Sequence, residues 1–359
     1  MGAQVTANKI WVLGEALMDC VAQPDGSLKP FMGGSPFNLA RAASLRGRSP
    51  DAATDAALVG FINPISTDRF GDQMRAQFAA DGVQTLLPQS RLPTSLAVVQ
   101  IAHGQPSYGF YREGIADRDY TVDQVLALLI REQSNAGLKV LHTGSLLLVP
   151  PEHEKVAAVL QGARAMGWTI SVDVNLRPKL AADLKAYVAA VKQVAALADW
   201  LKASDEDLEL LGFASPSRAK ATEIARHFTA QGASRIALTF GGGGAWLQVD
   251  GESAQGDVPK VKIVDTVGAG DTFWGNCLGD WVTLEVDAID DSIDGSADRS
   301  AAGLADGSVA GLADGAAPQS AAAQRVATTL HEAMRAAAIN CTRAGCQPPR
   351  YAETLAFSN

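Results

Sequence analysis

The stretch "DTVGAGDTFWGNCLGDW", residues 265–281, carries the most information about the fold. Beyond Asp271 its apolar residues recur at i, i+4 and i+8, which predicts one buried face of a helix that begins at about Asp271. That face consists of Phe273, Trp274, Cys277, Leu278, Trp281 and Val282. The small residues Gly268–Gly270 just before it leave backbone N–H groups uncovered at the positive end of the helix dipole, where an anion can approach closely.

Asp271 has two interpretations on spacing alone. Aspartate is a favoured N-terminal cap, so the residue could serve only to start the helix. Alternatively, its carboxylate lies beside an anion-binding turn and takes part in chemistry there. The spacing leaves both interpretations open.

Two common nucleotide-binding motifs are absent from the chain. There is no GxxxxGK[ST], which excludes a P-loop enzyme, and no GxGxxG follows the first strand, which disfavours a nicotinamide dehydrogenase. The four glycines in "TFGGGGAWLQV", Thr239–Val249, fit either a tight hairpin or a loop that lets a nucleotide lie close to the backbone.

The composition is that of a globular protein with an acidic segment. The 359 residues carry a net charge of −9 and are 47% hydrophobic, which predicts one large domain or a domain with a small appendage. Residues 286–320 contain seven aspartates and one arginine, so the rest of the chain is near neutral. The acidic balance argues against nucleic acid as a partner, whereas a near-neutral body tolerates an anionic substrate.

Other sequence features concern the compartment and metals. No apolar run reaches the roughly 18 residues of a membrane span, and the first twenty residues lack a secretory signal, so we expect a cytoplasmic protein with no membrane partner. The four cysteines show no CxxC spacing, which favours free thiols. The five histidines form no ligand pair, so a zinc site is poorly supported.

Short β-like runs alternate with helix-like runs along most of the chain. This alternation predicts βαβ units, and therefore an α/β fold with a parallel sheet covered on both faces. The predicted strands are Lys9–Leu17, Ala56–Ile62, Lys139–Gly144, Trp168–Val174, Asp199–Ser204 and Arg235–Phe240. The predicted helices include Ser35–Gly47, Asp68–Gly82, Pro151–Met166 and Asp183–Leu197.

Two regions break the alternation. Thr94–Gly114 predicts two strands joined by a turn, which form either an extra sheet edge or a small lid, and we favour the lid. Residues 290–320 are of low complexity and repeat GLADG at 303–307 and 311–315. Because they contain almost no aromatic or branched apolar residues, they cannot bury enough surface to become ordered, and we expect a mobile acidic insertion near 286–320.

Two motifs together resemble the signatures of the ribokinase-like carbohydrate kinases, the PfkB family. They are "MGGSPFNLARAASLRG" near the N-terminus and the stretch at 265–281. Shorter matches are "DVNLRP" (Asp173–Pro178), "KASDEDLELLG" (Lys202–Gly212) and "AAAINCTRAGC" (Ala336–Cys346). The resemblance covers the chain except the acidic insertion, and within the family "FYREGIAD" and "NCTRAGC" are most similar to bacterial fructokinases.

The resemblance implies a fold. It is a ribokinase-like three-layer α/β/α sandwich, with a mostly parallel central sheet and a small β lid. Residues 1–359 would form a single kinase domain, with lid segments near 17–33 and 94–117.

The resemblance also implies an ATP-dependent sugar kinase and assigns its catalytic groups. Asp271 would be the general base that takes the proton of the attacking sugar hydroxyl. Gly268, Ala269 and Gly270 would form the anion hole for the transferring phosphoryl group, which suits a reaction that needs positioning and charge stabilisation. Arg177 would steady the phosphates, since a guanidinium matches phosphate oxygens with paired donors.

The sugar and nucleotide contacts are implied in the same way. By resemblance, Asp271 and the following residues bind the sugar: Asp19, Gly33, Gly34, Asn38, Phe110, Arg112 and Asn175. For Asp19 the alternative is a carboxylate that caps a turn after the first strand. The residues implied for ATP are Lys202, Ser204, Thr239, Gly241, Gly244, Gly268, Gly270 and Asn340, the last near the adenine.

Magnesium is expected with ATP, but here the sequence departs from the family pattern. Many members have an Asn-x-x-Glu motif that organises the metal through water. The corresponding residues are Ser204 and Asp207, with Glu206 adjacent, so Asp207 acting through water is the candidate. Some members also bind a monovalent cation near the position of Asp265.

The sequence therefore predicts an ATP-dependent kinase for D-fructose, forming fructose 6-phosphate. The alternatives within the family are a 2-keto-3-deoxygluconate or a nucleoside kinase. A catalytically silent sugar-binding protein is a further alternative, which the presence of Asp271 and Arg177 argues against. Lid strands of this kind pair between subunits in relatives, so a homodimer through the lid is expected.

Overall fold

The chain folds around two β-sheets, one of nine strands and one of four. The computed structural model describes residues 8–47, 57–102, 105–133, 136–293 and 320–357. Residues 294–319, most of the predicted acidic insertion, lie outside the described part.

The larger sheet has the strand order β13-β12-β11-β10-β9-β8-β1-β4-β5. Its pairings from β11 to β5 are all parallel, and only β12 and β13 pair antiparallel. The strands are β1 (Asn8–Leu13), β4 (Ala57–Phe61), β5 (Val83–Thr85), β8 (Lys139–Gly144), β9 (Thr169–Asp173), β10 (Trp200–Ser204), β11 (Arg235–Thr239), β12 (Ala245–Val249) and β13 (Glu252–Gly256). The predicted mostly parallel sheet is confirmed.

The smaller sheet contains β2 (Leu17–Ala22), β3 (Leu28–Gly33), β6 (Ser95–Ala102) and β7 (Gln105–Tyr111), in the order β3-β2-β6-β7. Strands β6 and β7 form the hairpin predicted within Thr94–Gly114. The segments expected to make a small lid therefore come together in one sheet, which we call the small sheet.

The first predicted strand, Lys9–Leu17, was too long. Strand β1 ends at Leu13, and β2 of the small sheet begins at Leu17. Between them Gly14 donates its backbone N–H to Asn63 Oδ1 at 2.6 Å, so a side chain outside the sheet takes the hydrogen bond that a longer strand would use.

Within the described ranges, ten α-helices connect and cover the strands. They are α1 (Ser35–Gly47), α2 (Arg69–Asp81), α3 (Val122–Arg131), α4 (Glu152–Ala165), α5 (Leu184–Ala195), α6 (Asp205–Leu211), α7 (Ala221–Thr229), α8 (Ala269–Ile293), α9 (Ala321–Cys341) and α10 (Tyr351–Ala356). Short 3-10 turns lie at Ala116–Arg118, Ser145–Leu148, Pro178–Leu180, Arg218–Lys220 and Gly241–Gly243. Helix α8 runs to Ile293, so the beginning of the predicted insertion, residues 286–293, is helical.

The nine-stranded sheet separates two apolar cores. Alternate residues of β1 point to opposite faces, so that Ile10 joins one core and Trp11 the other. The first core packs against α1, α2, α8 and α9, and the second against α3 to α7. This is the three-layer α/β/α sandwich that was expected.

Other expectations from the sequence can be compared directly. The glycine run at 241–244 lies in the turn between the antiparallel strands β11 and β12, as the hairpin interpretation required. All four cysteines are free thiols. Within the described ranges, no helix is long and apolar enough to cross a membrane.

Helices α1 and α8 are in close contact because α8 carries glycine where they meet. A Cβ atom at Gly275 would lie 2.7 Å from both the Leu39 carbonyl oxygen and the Ala42 Cβ. One turn later, a Cβ at Gly279 would lie 2.7 Å from the Ala43 carbonyl oxygen. Any side chain at these positions would push the helices apart.

We expect Gly275→Ala to lower the free energy of unfolding. The new methyl group meets backbone, which cannot rotate away, and overpacking of this kind costs about 1–3 kcal/mol, against about 1 kcal/mol gained in helix propensity. The matched control is Gly162→Ala in α4, where the nearest atoms belong to the flexible side chain of Leu126, with Cδ2 at 2.5 Å. Urea unfolding of the two variants measures the difference, and equal stabilities would contradict the close contact.

Candidate active site

Asp271 lies in the first turn of α8 and its carboxylate faces α1. Its Oδ1 accepts a hydrogen bond from the Ser35 hydroxyl at 2.7 Å, and its Oδ2 accepts one from Asn38 Nδ2 at 2.9 Å. The helix begins at Ala269, two residues earlier than predicted. Asp271 is therefore not the residue that caps α8, and its hydrogen bonds join two helices.

The turn before Asp271 has a structural reason for each glycine. Gly268 has φ of +73°, and a Cβ there would lie 2.2 Å from the Cys346 Sγ. A Cβ at Gly270 would lie 3.3 Å from the Lys202 Nζ. The small residues thus let the turn fit between a buried thiol and an ammonium group.

Lys202 belongs to a buried ion pair. Its Nζ lies 2.9 Å from both carboxylate oxygens of Asp173, on the neighbouring strand. Burial opposes the charged form of Lys202, but the carboxylates of Asp173, Asp207 and Asp271 outweigh it and raise the pKa. The lysine therefore remains a cation beside the glycine turn.

A chain of hydrogen bonds extends from Asp271 to Arg177. The Asn175 amide nitrogen donates to the Ser35 hydroxyl at 2.8 Å, and Arg177 Nη1 donates to Asn175 Oδ1 at 2.6 Å. Asn175 and Arg177 were predicted for the site, and the structure brings them to Asp271. Ser35 was missed, although its place directly after the glycine pair, at the start of the predicted helix, was a usable signal.

Asp19, on β2, lies over the glycine pair. A Cβ at Gly33 would be 2.1 Å from Asp19 Oδ2, so the carboxylate covers the space that we had expected for sugar oxygens. Gly34 has φ of +102°, and its Cβ would lie 2.6 Å from the Glu15 carbonyl oxygen. Both glycines are therefore explained by the fold, whatever they bind.

The pKa of Asp19 is raised to about 6. Burial is the main cause, and the negative charge of Asp271 adds to it, while Arg177 works in the opposite direction. Asp19, Asp271 and Arg177 therefore act on one another electrostatically. The Asp19 carboxyl is half-ionised near pH 6 and mostly ionised at higher pH.

Arg112 follows β7 and is buried among charged groups. Its Nη1 donates to the Leu146 carbonyl at 3.4 Å, and its Nε and Nη2 have no hydrogen-bond partner among the described residues. Asp117 is also buried, with both carboxylate oxygens unpartnered within the same part of the chain. Phe110 lies in β7, where it packs at the edge of a small apolar cluster with Leu17.

Glu15 is a second residue that the sequence analysis missed. It follows the carboxyl end of β1, where ligands meet parallel sheets. Its Oε1 accepts from the Ser35 backbone N–H at 3.3 Å, and Arg112 and Arg177 both act on its charge. Glu15 thus connects the surroundings of Asp271 to those of Arg112.

Some of the residues expected to bind ATP lie at strand ends or beside open space, and another is needed for packing. Ser204 and Thr239 are paired in register at the carboxyl ends of β10 and β11, near Lys202. Gly241 has open space where a Cβ would stand, as a binding loop requires. At Gly244 a Cβ would lie 2.1 Å from the Gly256 carbonyl oxygen, so this glycine is needed for hairpin packing.

Asn340 is fully buried in α9 and holds two loops together. Its Nδ2 donates to the Val267 carbonyl at 2.8 Å, and its Oδ1 accepts from the Gln347 N–H at 2.7 Å. In this conformation the side chain supports the turn before α8 and does not face a cleft. The adenine contact stays a prediction that this geometry does not favour.

The carboxylate of Asp207 accepts hydrogen bonds from two nearby segments of backbone. Its Oδ1 accepts from the Leu176 N–H at 2.7 Å, and its Oδ2 from the Ser204 N–H and hydroxyl at 2.8 and 2.7 Å. Among the described residues there is no group of three or more His, Cys, Asp or Glu that could hold a metal ion. Both Asp207 oxygens already accept hydrogen bonds from the protein. The site therefore fits a magnesium ion bound mainly by phosphate oxygens and water, and not one held directly by Asp207. Its action through water stays a prediction.

The carboxylate of Asp265 joins the segment before α8 to the C-terminal loop. Its Oδ1 accepts from the Val267 N–H at 3.0 Å and its Oδ2 from the Gly345 N–H at 2.9 Å. A monovalent cation beside it remains a prediction.

The sequence comparisons agree with this geometry. The model of the pfkB family carbohydrate kinase matches residues 7–288. This chain belongs to that family. A fructokinase from Rhizobium leguminosarum bv. trifolii is 31% identical over 268 residues, 72% of this chain and 76% of the relative. A 2-dehydro-3-deoxygluconokinase from Escherichia coli (strain K12) is 26% identical over 275 residues, 74% and 86% of the two chains.

Solved structures confirm the ribokinase-like fold of this sugar kinase. A fructokinase with bound ATP from Xylella fastidiosa superposes with a TM-score of 0.73 at 24% identity, over 97% of each chain. A putative ribokinase II from E. coli, in complex with ATP and Mg²⁺, has a TM-score of 0.70 at 21% identity, over 97% of this chain and 98% of the other.

We expect Asp271→Asn to lower the kcat of this carbohydrate kinase by about 10²- to 10⁴-fold, the range found when a positioned general base is lost. The amide keeps the size of the carboxylate but cannot accept the proton. Asp123→Asn on the exposed start of α3 is the control. Coupled measurement of ADP formation compares the two, and unchanged kcat in the Asp271 variant would contradict its role as base.

Proposed function

We propose that this carbohydrate kinase transfers the γ-phosphoryl group of ATP to the 6-hydroxyl of D-fructose, giving fructose 6-phosphate and ADP. The observation that carries the reaction type is the placement of Asp271. An acceptor-only carboxylate is held by two donors of α1 at the beginning of α8, next to a glycine turn and a buried ammonium.

Asp271 would accept the hydroxyl proton of the sugar. Ser35 and Asn38 occupy one lone pair on each carboxylate oxygen, which leaves further acceptor sites on the same group. As the proton moves to Asp271, the sugar oxygen forms a bond to the γ-phosphorus and the bond to the leaving oxygen of ADP breaks. The proton is later released to solvent.

The charge that develops on the phosphoryl oxygens would meet donors already in place. The backbone N–H groups of the turn at 268–270 lie at the positive end of α8. Lys202 adds a cation near Gly270, and Arg177 adds another beyond Asn175. Such pre-placed donors and cations stabilise charge in phosphoryl transfer.

ATP and a divalent cation are part of the proposal. Related kinases of this fold have been solved with ATP and with ATP and Mg²⁺. When bound, magnesium neutralises part of the phosphate charge. On the protein side, Lys202, Ser204 and Thr239 at the ends of adjacent strands, together with Gly241, would hold the nucleotide.

The charges around Arg112 favour a neutral sugar over a sugar acid. Glu15, Asp117 and Glu152 all act on the Arg112 guanidinium, so its positive charge is already matched by carboxylates. The unpartnered atoms include donors on Arg112 and acceptors on Asp117. A hydroxyl can both donate to Asp117 and accept from Arg112, whereas a substrate carboxylate only accepts and would leave the Asp117 oxygens without a donor.

A substrate panel tests the proposal. We expect ATP-dependent turnover to be highest with D-fructose, and at least about tenfold lower kcat/KM with 2-keto-3-deoxygluconate, because one unfavourable charge contact costs that much. Nucleosides complete the panel. Faster turnover with the sugar acid or with a nucleoside would contradict D-fructose as the substrate and favour the faster compound. Sugar binding by folded protein without any turnover would favour the silent sugar-binding alternative.

Asp117→Asn sharpens this comparison. Removal of one carboxylate next to Arg112 should shift the preference toward the sugar acid, and fructose turnover should fall. Asp119→Asn, two residues away, is the matched control. The Asp119 carboxylate accepts a hydrogen bond from the Ser90 hydroxyl, and Asp119 is exposed. An unchanged ratio of the two kcat/KM values in the Asp117 variant would contradict the charge argument.

Sugar affinity should depend on the ionisation of Asp19. With a pKa of about 6 the carboxylate accepts a sugar hydroxyl above that pH and loses this ability as it protonates below it. Well below pH 6 the Kd for D-fructose should therefore increase about tenfold for each unit by which the pH is lowered. Calorimetric titration of the sugar avoids any contribution from catalysis.

Asp19→Asn provides the control for that titration. The variant should bind weakly, without the rise in Kd near pH 6. It also separates Asp19 from Asp117, whose pKa burial raises to about 7 despite the nearby Arg112. A Kd in the wild-type protein that stayed constant from about pH 5 to pH 8 would rule out this role for Asp19.

We include two further elements in the proposal. A homodimer through the small sheet is supported by apolar side chains that are exposed on its edge strands, Leu28 at 49% and Tyr111 at 65%. Action in the cytoplasm is supported by four free thiols, which persist in a reducing compartment.

A further inference from the structure

The Ser35 hydroxyl lies between Asp271 and Asn175. It is 2.7 Å from Asp271 Oδ1 and 2.8 Å from Asn175 Nδ2, and the side chain is buried. A carboxylate only accepts hydrogen bonds, so the single hydroxyl proton of Ser35 points to Asp271. The Ser35 oxygen must then accept from Asn175.

The orientation of the Asn175 amide is fixed by its other neighbour. A guanidinium only donates, so Arg177 Nη1, at 2.6 Å, requires the amide oxygen of Asn175 on its side. The amide nitrogen is left to face Ser35. Every donor in the chain therefore points the same way, from the Arg177 cation through Asn175 and Ser35 to the Asp271 anion.

The backbone supports a special position for Asn175. Its φ is +36°, one of four positive values at non-glycine residues in the described chain. Such conformations cost free energy and are found mostly where the surrounding structure requires them. Here the strained turn carries the amide from the end of β9 to Ser35, at the first residue of α1.

We propose that Ser35 and Asn175 are positioning residues that connect Arg177 to Asp271 and hold its carboxylate in the rotamer that faces the sugar. The proposal rests on the proposed kinase function. Hydrogen bonds that are aligned in one direction polarise one another, so each link strengthens the next. Asn38, one turn after Ser35 on the same face of α1, holds the other carboxylate oxygen.

Other charged groups also face Asp271. Asp19 on β2 and Asp173 on β9 carry charge of the same sign as Asp271, and Lys202 on β10 carries the opposite charge. The thiol of Cys346 from the C-terminal loop is also nearby, and burial keeps it neutral by raising its pKa. Without Ser35 these groups stay in place, so a change in Ser35→Ala reports on the hydrogen-bond chain.

The experiment compares Ser35→Ala with Ser44→Ala. Ser44 lies on the same helix, is equally buried, and donates its hydroxyl to the Asp81 carbonyl away from Asp271. We expect Ser35→Ala to lower kcat by about ten- to a hundredfold with little change in KM for ATP, since a hydrogen bond to a charged group is lost. The acid limb of its pH–kcat profile should move to higher pH, and Ser44→Ala should keep the wild-type profile.

Crystal structures of both variants provide a readout that does not need turnover. In Ser35→Ala the Asp271 carboxylate should rotate or occupy two rotamers, and in Ser44→Ala it should not move. If wild-type protein turned over none of the sugars, the proposed function would fail while this comparison still decided the role of Ser35. An unmoved Asp271 in Ser35→Ala, or a pH profile equal to that of Ser44→Ala, would overturn the proposal.

Discussion

The structure depends on the close crossing of α1 and α8. Two glycines of α8, Gly275 and Gly279, let backbone meet backbone at a separation that no side chain would permit. The first turn of α1 then reaches the first turn of α8, where Ser35 and Asn38 hold Asp271. Packing of two helices in the core thus determines where the Asp271 carboxylate lies.

A second constraint is the balance of buried charge. Asp19 and Asp173 both lie near Asp271, whose negative charge opposes their ionisation. Lys202 compensates the charge of Asp173, and Arg177 compensates that of Asp19. Lys202 is already paired with Asp173, whereas Arg177 donates to neutral oxygens of Asn175 and Leu176.

Much of the fold could be predicted because it depends on local periodicity. Strand β8 and helix α1 were predicted with their observed bounds, since their apolar pattern and their flanking residues agree. The helix start at Asp271 was two residues late, because aspartate is so often a cap. The first strand was too long, because the hydrogen bond of Gly14 to Asn63 depends on a residue 49 positions away.

The site was only partly predictable for the same reason. Motif resemblance found Asp271, Asn175 and Arg177, which the structure joins in one network. It did not find Ser35, whose role appears only when α1 and β9 are brought together. The resemblance assigned Asn340 to the adenine and Asp207 to the metal. In the structure, polar atoms of both side chains form hydrogen bonds to the backbone of other segments. Sequence patterns show which residue types are present, and tertiary contacts decide what those residues touch.

The distance along the chain between the two halves of the site has a consequence for synthesis. Asp271 is 236 residues from Ser35 and 233 from Asn38. Contacts this distant in sequence form late, because the intervening chain must first be ordered. While the ribosome is still making the strands of the central sheet, the first helix has no partner for its polar turn. The contacts of Asp271 with α1 can therefore form only after about three quarters of the chain has been made.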